Sequence, residues 1–324
     1  MVPLSFGVFP LGLAGSPDGL ASGPPDDWQA IARAMTELQG GGPAVMPRMY
    51  VSWSGPASTR AALAQVEAYA AHALPWDLVL CYRDPGGDTQ AWASFTARVV
   101  AEYGSRLAAV QVTAEANLAG IPAAADGAFP GAREALVRGL LRAADAKRSA
   151  GATASIGFAA VPEPEPDASG FWTGLRDLGG SDFAAAADYA GIDMYPDVFG
   201  PPTGIDGLPG AVRWVLRTYR ERMLPLAGIG AATPIRVCEN GWPTGPGRPE
   251  ETQARVLETV VRTVSDLGAE LNVTHWELFA LRDADSSREG LFYHFGVLRD
   301  DYSAKPAFGV LRNLIAELSP GTSA

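Results

Sequence analysis

The sequence predicts an α/β fold, a (β/α)8 barrel, in one domain spanning residues 1–324. Eight short apolar runs alternate with amphipathic helical patterns along the chain. Several runs are apolar on both faces, as strands of a parallel sheet covered by helices must be. Eight such units fit a barrel better than an open doubly wound sheet, which is the structural alternative, and no composition shift or charged linker marks a domain boundary.

The strand candidates, in order, are Leu4–Phe9, Ala44–Tyr50, Asp77–Tyr82, Leu107–Thr113, Ala152–Phe158, Tyr189–Tyr195, Ile235–Glu239 and Leu271–Leu278. Helical periodicity fills the gaps. Trp28, Ile31, Ala32 and Met35 share one predicted face, as do Trp92, Phe95, Val99 and Tyr103. Further stripes are Leu136–Val137–Leu140–Leu141, then Val256–Val260–Val261–Val264–Leu267 with Gly268 as the expected C-cap, and lastly Phe308–Leu311–Leu314–Ile315–Leu318. Residues 161–166 and 200–210 read as long loops after the fifth and sixth strands. In a barrel, the rim carrying those loops holds the active site. Glu163 and Glu165 are expected to be solvated there.

Composition narrows the function. Thirty-six Asp and Glu against 25 Lys and Arg give a net charge of −11, with Lys147 and Lys305 the only lysines. That argues against nucleic acid or an anionic membrane as partner, since both need clustered cations. Cys81 and Cys238 are read as buried thiols within strands. The first positive side chain is Arg33, and the N-terminal apolar stretch is short and rich in Gly and Pro, which reads as a strand rather than a signal peptide. A cytoplasmic location is expected for the chain as given, and secretion if a signal had been removed. The three histidines, His72, His275 and His294, lack metal-ligand spacing, and no nucleophile elbow, phosphate loop or complete dinucleotide fingerprint occurs.

The candidate chemistry is carried by two carboxylates. Pro-Ile-Arg-Val-Cys-Glu-Asn-Gly-Trp-Pro-Thr, residues 234–244, ends a strand on Glu239 and then reads as an Asn-Gly turn followed by Trp242. The fourth strand ends the same way on Glu115. The fourth and seventh strands of a barrel lie across its mouth, so these acids can face each other. A separation of about 5–5.5 Å would suit a nucleophile and an acid/base, and about 6.5–9.5 Å would leave room for an attacking water. Arg48, Asp193, Tyr195 and Trp276 also lie near strand ends, and Trp53, Trp172 and Trp242 are read either as an aromatic platform or as packing.

This arrangement resembles the clan A superfamily of retaining glycoside hydrolases. Val-Cys-Glu-Asn-Gly-Trp-Pro-Thr is similar to the nucleophile region of its endo-β-glucanases and arabinogalactan hydrolases. Met-Pro-Arg-Met-Tyr at 46–50, Gly-Ile-Asp-Met-Tyr-Pro at 191–196, His-Trp-Glu-Leu-Phe at 275–279 and the segment 295–307 resemble its second, sixth and eighth strands and closing loop. The resemblance implies Glu239 as nucleophile and Glu115 as acid/base, with Arg48 and Tyr195 supporting Glu239 and Trp276 flooring the sugar subsite. It also implies a carbohydrate substrate and no metal or organic cofactor. The acid/base would have to be protonated at the first step, which the nearby nucleophile's charge favours. The chain departs from the clan at Ala114, where Asn normally precedes the acid/base and contacts the sugar 2-hydroxyl. Thr113, Asn117 or Arg48 would then supply that contact, or the substrate differs there, or activity is low. The rival reading is a catalytically silent barrel that binds a glycan or a protein through the same cleft. Sugar identity, linkage, exo or endo cleavage and oligomeric state are not encoded legibly.

Overall fold

A computed structural model describes residues 3–71 and 74–320, leaving His72 outside the described residues. The strands are β1 Ser5–Phe9, β2 Leu13–Ser16, β3 Gly19–Ser22, β4 Met46–Trp53, β5 Asp77–Tyr82, β6 Ala109–Val112, β7 Ser155–Ala160, β8 Tyr189–Asp193, β9 Ile235–Asn240 and β10 Val273–Phe279. The helices are α1 Trp28–Gln39, α2 Thr59–Ala70, α3 Thr89–Tyr103, α4 Ala132–Ala150, α5 Phe171–Ala186, α6 Gly204–Thr218, α7 Glu250–Leu271 and α8 Pro306–Leu318.

Eight strands close into a barrel in the order β1-β10-β9-β8-β7-β6-β5-β4. All eight predicted strands are present. β2 and β3 form a separate antiparallel hairpin that the sequence did not betray, because four-residue Gly/Ala/Ser strands carry almost no alternation. No helix among the described residues is long and apolar enough to cross a membrane.

The chain forms two compact units. One runs from Met46 to Asp193 and adds Thr218–Ile235; the other holds the residues up to Val45, Met194–Arg217 and Arg236 onward.

In the first unit, β4 to β8 pair in parallel and in sequence. Leu78, Val79, Leu80, Val110, Val112, Ile156, Phe158 and Ile192 are all buried, which is the two-faced burial read from the sequence. The α3 stripe is buried as predicted, and on α4 Leu136, Val137 and Leu140 are buried while Leu141 is half-buried.

In the second unit, β1 pairs with β10 in the register Ser5↔His275, Gly7↔Glu277 and Phe9↔Phe279. Ser5 Oγ lies 2.7 Å from His275 Nδ1, and His275 Nε2 lies 2.9 Å from Glu277 Oε1. A Cβ on Gly7 would sit 2.0 Å from that Glu277 oxygen, so glycine makes the room this buried carboxyl needs. Two helix details correct the sequence reading. On α1 the buried stripe is Ile31, Ala34 and Leu38, while Trp28 is 51% exposed and Ala32 faces solvent. On α7, Gly268 lies inside the helix, and Asn272 takes the left-handed cap position at φ 54°, its N–H bonding the Gly268 carbonyl.

The segment after β10 is anchored by a buried ion pair. Lys305 Nζ lies 2.8 Å from Asp283 Oδ1 and 3.0 Å from Thr244 Oγ1, while Asp283 also accepts the Gly296 N–H and the Ser286 hydroxyl. Burial pulls the Lys305 ammonium below the usual lysine range, and Asp283 opposes that pull.

Candidate active site

Glu239 sits one residue before the end of β9. The strand continues through Asn240, and residues 241–244 are neither turn nor bend, so no turn forms at Asn-Gly. Gly241 serves another purpose. A Cβ there would lie 1.8 Å from the Phe279 carbonyl oxygen, so the ends of β9 and β10 can approach only over a glycine. Asn240 Nδ2 donates to the Met194 carbonyl at 2.7 Å, and the Met194 N–H donates to the Glu239 carbonyl at 3.0 Å. These bonds place Tyr195, whose hydroxyl donates to Glu239 Oε2 at 2.7 Å. The expected Tyr195–Glu239 contact is therefore built into the backbone pairing beside it.

Trp242 is buried two residues beyond. Its Nε1 donates to Asp197 at 3.1 Å, and the Arg248 guanidinium lies 3.9 Å from its ring centroid. One face of this indole is thus covered by a cation.

Trp276 falls on the wrong side of its strand. It is fully buried edge-on against Phe6, whereas Phe279 meets the Tyr195 ring. Side chains alternate along a strand, so His275, Glu277 and Phe279 share the face on which Phe279 meets Tyr195, and Trp276 occupies the reverse. Phe279 is the β10 aromatic residue that meets Tyr195.

Glu115 belongs to the other unit. It follows β6 across two non-glycine residues of positive φ, Thr113 at 68° and Glu115 itself at 47°. That bend is held by Asp126, which sequence reading missed. Its Oδ2 accepts the Ala114 N–H at 2.8 Å and the Tyr82 N–H at 2.7 Å, and its own N–H donates to the Ala114 carbonyl at 2.8 Å. Arg83 Nε lies 3.6 Å from Asp126 Oδ1, and the same guanidinium donates to the carbonyls of Pro122, Ala123 and Ala124. Glu115 is left 9% exposed. Ala114 packs with Val79, Cys81 and Tyr50, an apolar setting that offers no substitute for an amide.

Burial raises the Asp126 pKa to about 7, from 3.8 in its absence, against the opposing pull of Arg83 and the two amides. Because the folded value is the higher, folding takes up a proton between those limits. Its contribution to stability is full below about pH 3.8 and is lost as pH rises through 7. Asp126→Ala leaves two buried N–H groups without an acceptor, at a cost of roughly 2–4 kcal/mol. In urea unfolding, the stability gap between wild type and this variant should be wider at pH 5 than at pH 7.5. An equal or narrower gap at pH 5 would contradict the assignment.

The remaining predicted residues are placed as follows. Arg48 is buried, with Nε 2.9 Å from the Tyr50 hydroxyl, Nη2 2.8 Å from Gln111 Oε1 and Nη1 3.2 Å from Asp77 Oδ2. Asn117 exchanges two hydrogen bonds with the Val161 backbone, clipping the end of β7 to the Glu115 loop. Trp53 stacks among Tyr82, Trp92 and Phe95, and Trp172 meets Phe171 and Tyr219 edge-on; both indoles are core residues with no exposed ring face. Asp193 is buried at the end of β8. Glu163 is not solvated: it accepts the Asp167 N–H and the Ser169 hydroxyl and shapes the loop before α5, while Glu165 is exposed.

Solved structures share this architecture. The chain is similar to a β-glucosidase designated 1317 (16% identity, TM-score 0.62, covering 90% of this chain and 88% of that one). It is similar to a β-glucosidase from Thermotoga maritima in complex with castanospermine (14%, 0.61, 91% and 87%). GH5_18 from Streptomyces cattleya in complex with GlcNAc is a third (16%, 0.63, 99% and 82%). The likeness is one of fold. No family model and no curated protein matches the sequence.

Proposed function

We propose that the protein is a clan A glycoside hydrolase that cleaves a β-glycosidic bond with retention. Glu239 is the nucleophile and Glu115 the acid/base. Glu239 lies near the C-terminal end of the barrel's seventh strand and Glu115 just beyond that of its fourth, the strand ends where a barrel carries its chemistry. The observation that carries the reading is the Tyr195 hydroxyl on Glu239 Oε2 at 2.7 Å. That bond fixes the orientation of the carboxyl group.

In the first step, a Glu239 oxygen bonds to the anomeric carbon as the glycosidic C–O bond breaks and Glu115 gives its proton to the departing oxygen. In the second, Glu115 takes a proton from water, whose oxygen displaces Glu239 from the same carbon. Two inversions restore the β configuration. No cofactor enters this chemistry. The fold shared with the β-glucosidases and GH5_18 supports the reading, as do the motifs on the second, sixth, seventh and eighth strands.

The test is a panel of aryl β-glycosides followed by proton NMR during turnover. The β-anomer of the free sugar should appear first. An α-anomer would mean single displacement. Ala114 in its apolar cluster favours a second reading, a barrel that binds glycans without cleaving them. Binding across the panel with no turnover would select it.

A further inference from the structure

We infer that Asp126 is a positioning residue for the proposed acid/base, acting on proton donation to the leaving group and not on attack by Glu239. This rests on the glycosidase reading and deepens it. Residues other than glycine rarely adopt positive φ, yet Glu115 does so at 47°, two positions after Thr113 at 68°. Such a backbone persists only where its surroundings hold it. Here both peptide groups that flank Glu115 are gripped by the loop between β6 and α4. The peptide ahead of it is held through the Ala114 carbonyl, which accepts the Asp126 N–H at 2.8 Å. The peptide behind it is held through the Glu115 carbonyl, which accepts the Leu118 N–H at 2.9 Å and the Gly127 N–H at 3.4 Å.

The Asp126 side chain ties this grip to the barrel. Its Oδ2 joins the Ala114 N–H to the Tyr82 N–H at the end of β5, so the turn carrying Glu115 is referenced to the neighbouring strand. The loop also closes over a glycine. A Cβ on Gly127 would lie 2.6 Å from the Leu118 carbonyl oxygen and 2.8 Å from that of Ala116. Glu239 is oriented separately, by the Tyr195 hydroxyl and by the bond from Asn240 to the Met194 carbonyl. A general acid must come within about 2.6–3.2 Å of the oxygen it protonates. A misplacement of about 1 Å can cost about 10²-fold in rate. Without Asp126 the two positive φ angles are free to relax, which turns Glu115 away from that oxygen and leaves the nucleophile in place.

The experiment measures kcat/KM, which reports the first bond cleavage, for phenyl and 2,4-dinitrophenyl β-glycosides of the sugar that the aryl panel selects. Dinitrophenolate departs without a proton, whereas phenolate needs one. Asp126→Ala should lower the phenyl value by at least about tenfold and the dinitrophenyl value by less than about threefold. Asp126→Asn, whose amide oxygen can accept both N–H groups, should stay near wild type on both substrates. Gly127→Ala crowds the loop and keeps the Asp126 carboxyl, so it should show the same selective loss, and it decides the matter if Asp126→Ala does not fold. Equal losses on the two substrates, no loss on either, or an Asp126→Asn as impaired as Asp126→Ala would overturn the inference. So would a wild type that cleaves only the dinitrophenyl glycoside, since no proton is then being supplied. A wild type that cleaves neither substrate would sink the glycosidase reading itself and this inference with it.

Discussion

Glu239→Ala should lower kcat by roughly 10⁵-fold or more, the scale on which removal of a covalent nucleophile acts elsewhere. Alanine removes the only atom proposed to bond to the anomeric carbon, and it leaves the Tyr195 hydroxyl without this acceptor. The vacated volume can admit a small anion. With an aryl β-glycoside bearing a good leaving group, azide should restore turnover in one displacement and give the α-glycosyl azide. Because the Asn240 side-chain amide bonds the Met194 carbonyl and Gly241 lets β9 and β10 approach, both independently of the Glu239 carboxyl, melting temperature should change little. A variant of near wild-type activity would remove Glu239 from the mechanism. A β-configured azide would assign it a different role.

Glu115→Ala should separate the two chemical steps. General acid catalysis is worth about 10²–10⁴-fold, and most where the departing oxygen is a poor leaving group. Alkyl glycosides should therefore lose that factor, whereas a dinitrophenyl glycoside should form its covalent intermediate readily and then stall, giving a burst. Azide should relieve the stall with the β configuration kept, the opposite outcome to that at position 239. Equal losses for alkyl and dinitrophenyl substrates would show that Glu115 is not the proton donor.

The positions of the two acids were readable because Glu239 falls near the end of an apolar strand and Glu115 just beyond another, and strand runs are the strongest signal a parallel barrel leaves in its sequence. Which face a side chain occupies was not. Trp276 and Phe279 are three positions apart, and an odd step along a strand reverses the face. Only the ring contacts decide it: Trp276 meets Phe6 and Phe279 meets Tyr195. Trp53 and Trp172 were similarly ambiguous, since a buried indole and a ligand-facing one have the same composition signal. Asp126 was invisible for another reason. It opens a three-residue 3-10 turn, 12 residues beyond Ala114 and 44 beyond Tyr82, whose amides it accepts, so no periodicity points to it. Glu163 likewise looked like one of a pair of loop acids until its partners within the loop were known.

The buried Lys305 gives the chain an unusual chemical simplicity. Of its two lysines, Lys305 is shut away with its ammonium held by Asp283 and Thr244, while Lys147 remains partly open on α4 beside Asp188. An amine-directed reagent therefore meets one lysine on the folded molecule. Modification at the second would signal that the segment following β10 had come loose, which makes Lys305 a natural reporter of that segment's integrity.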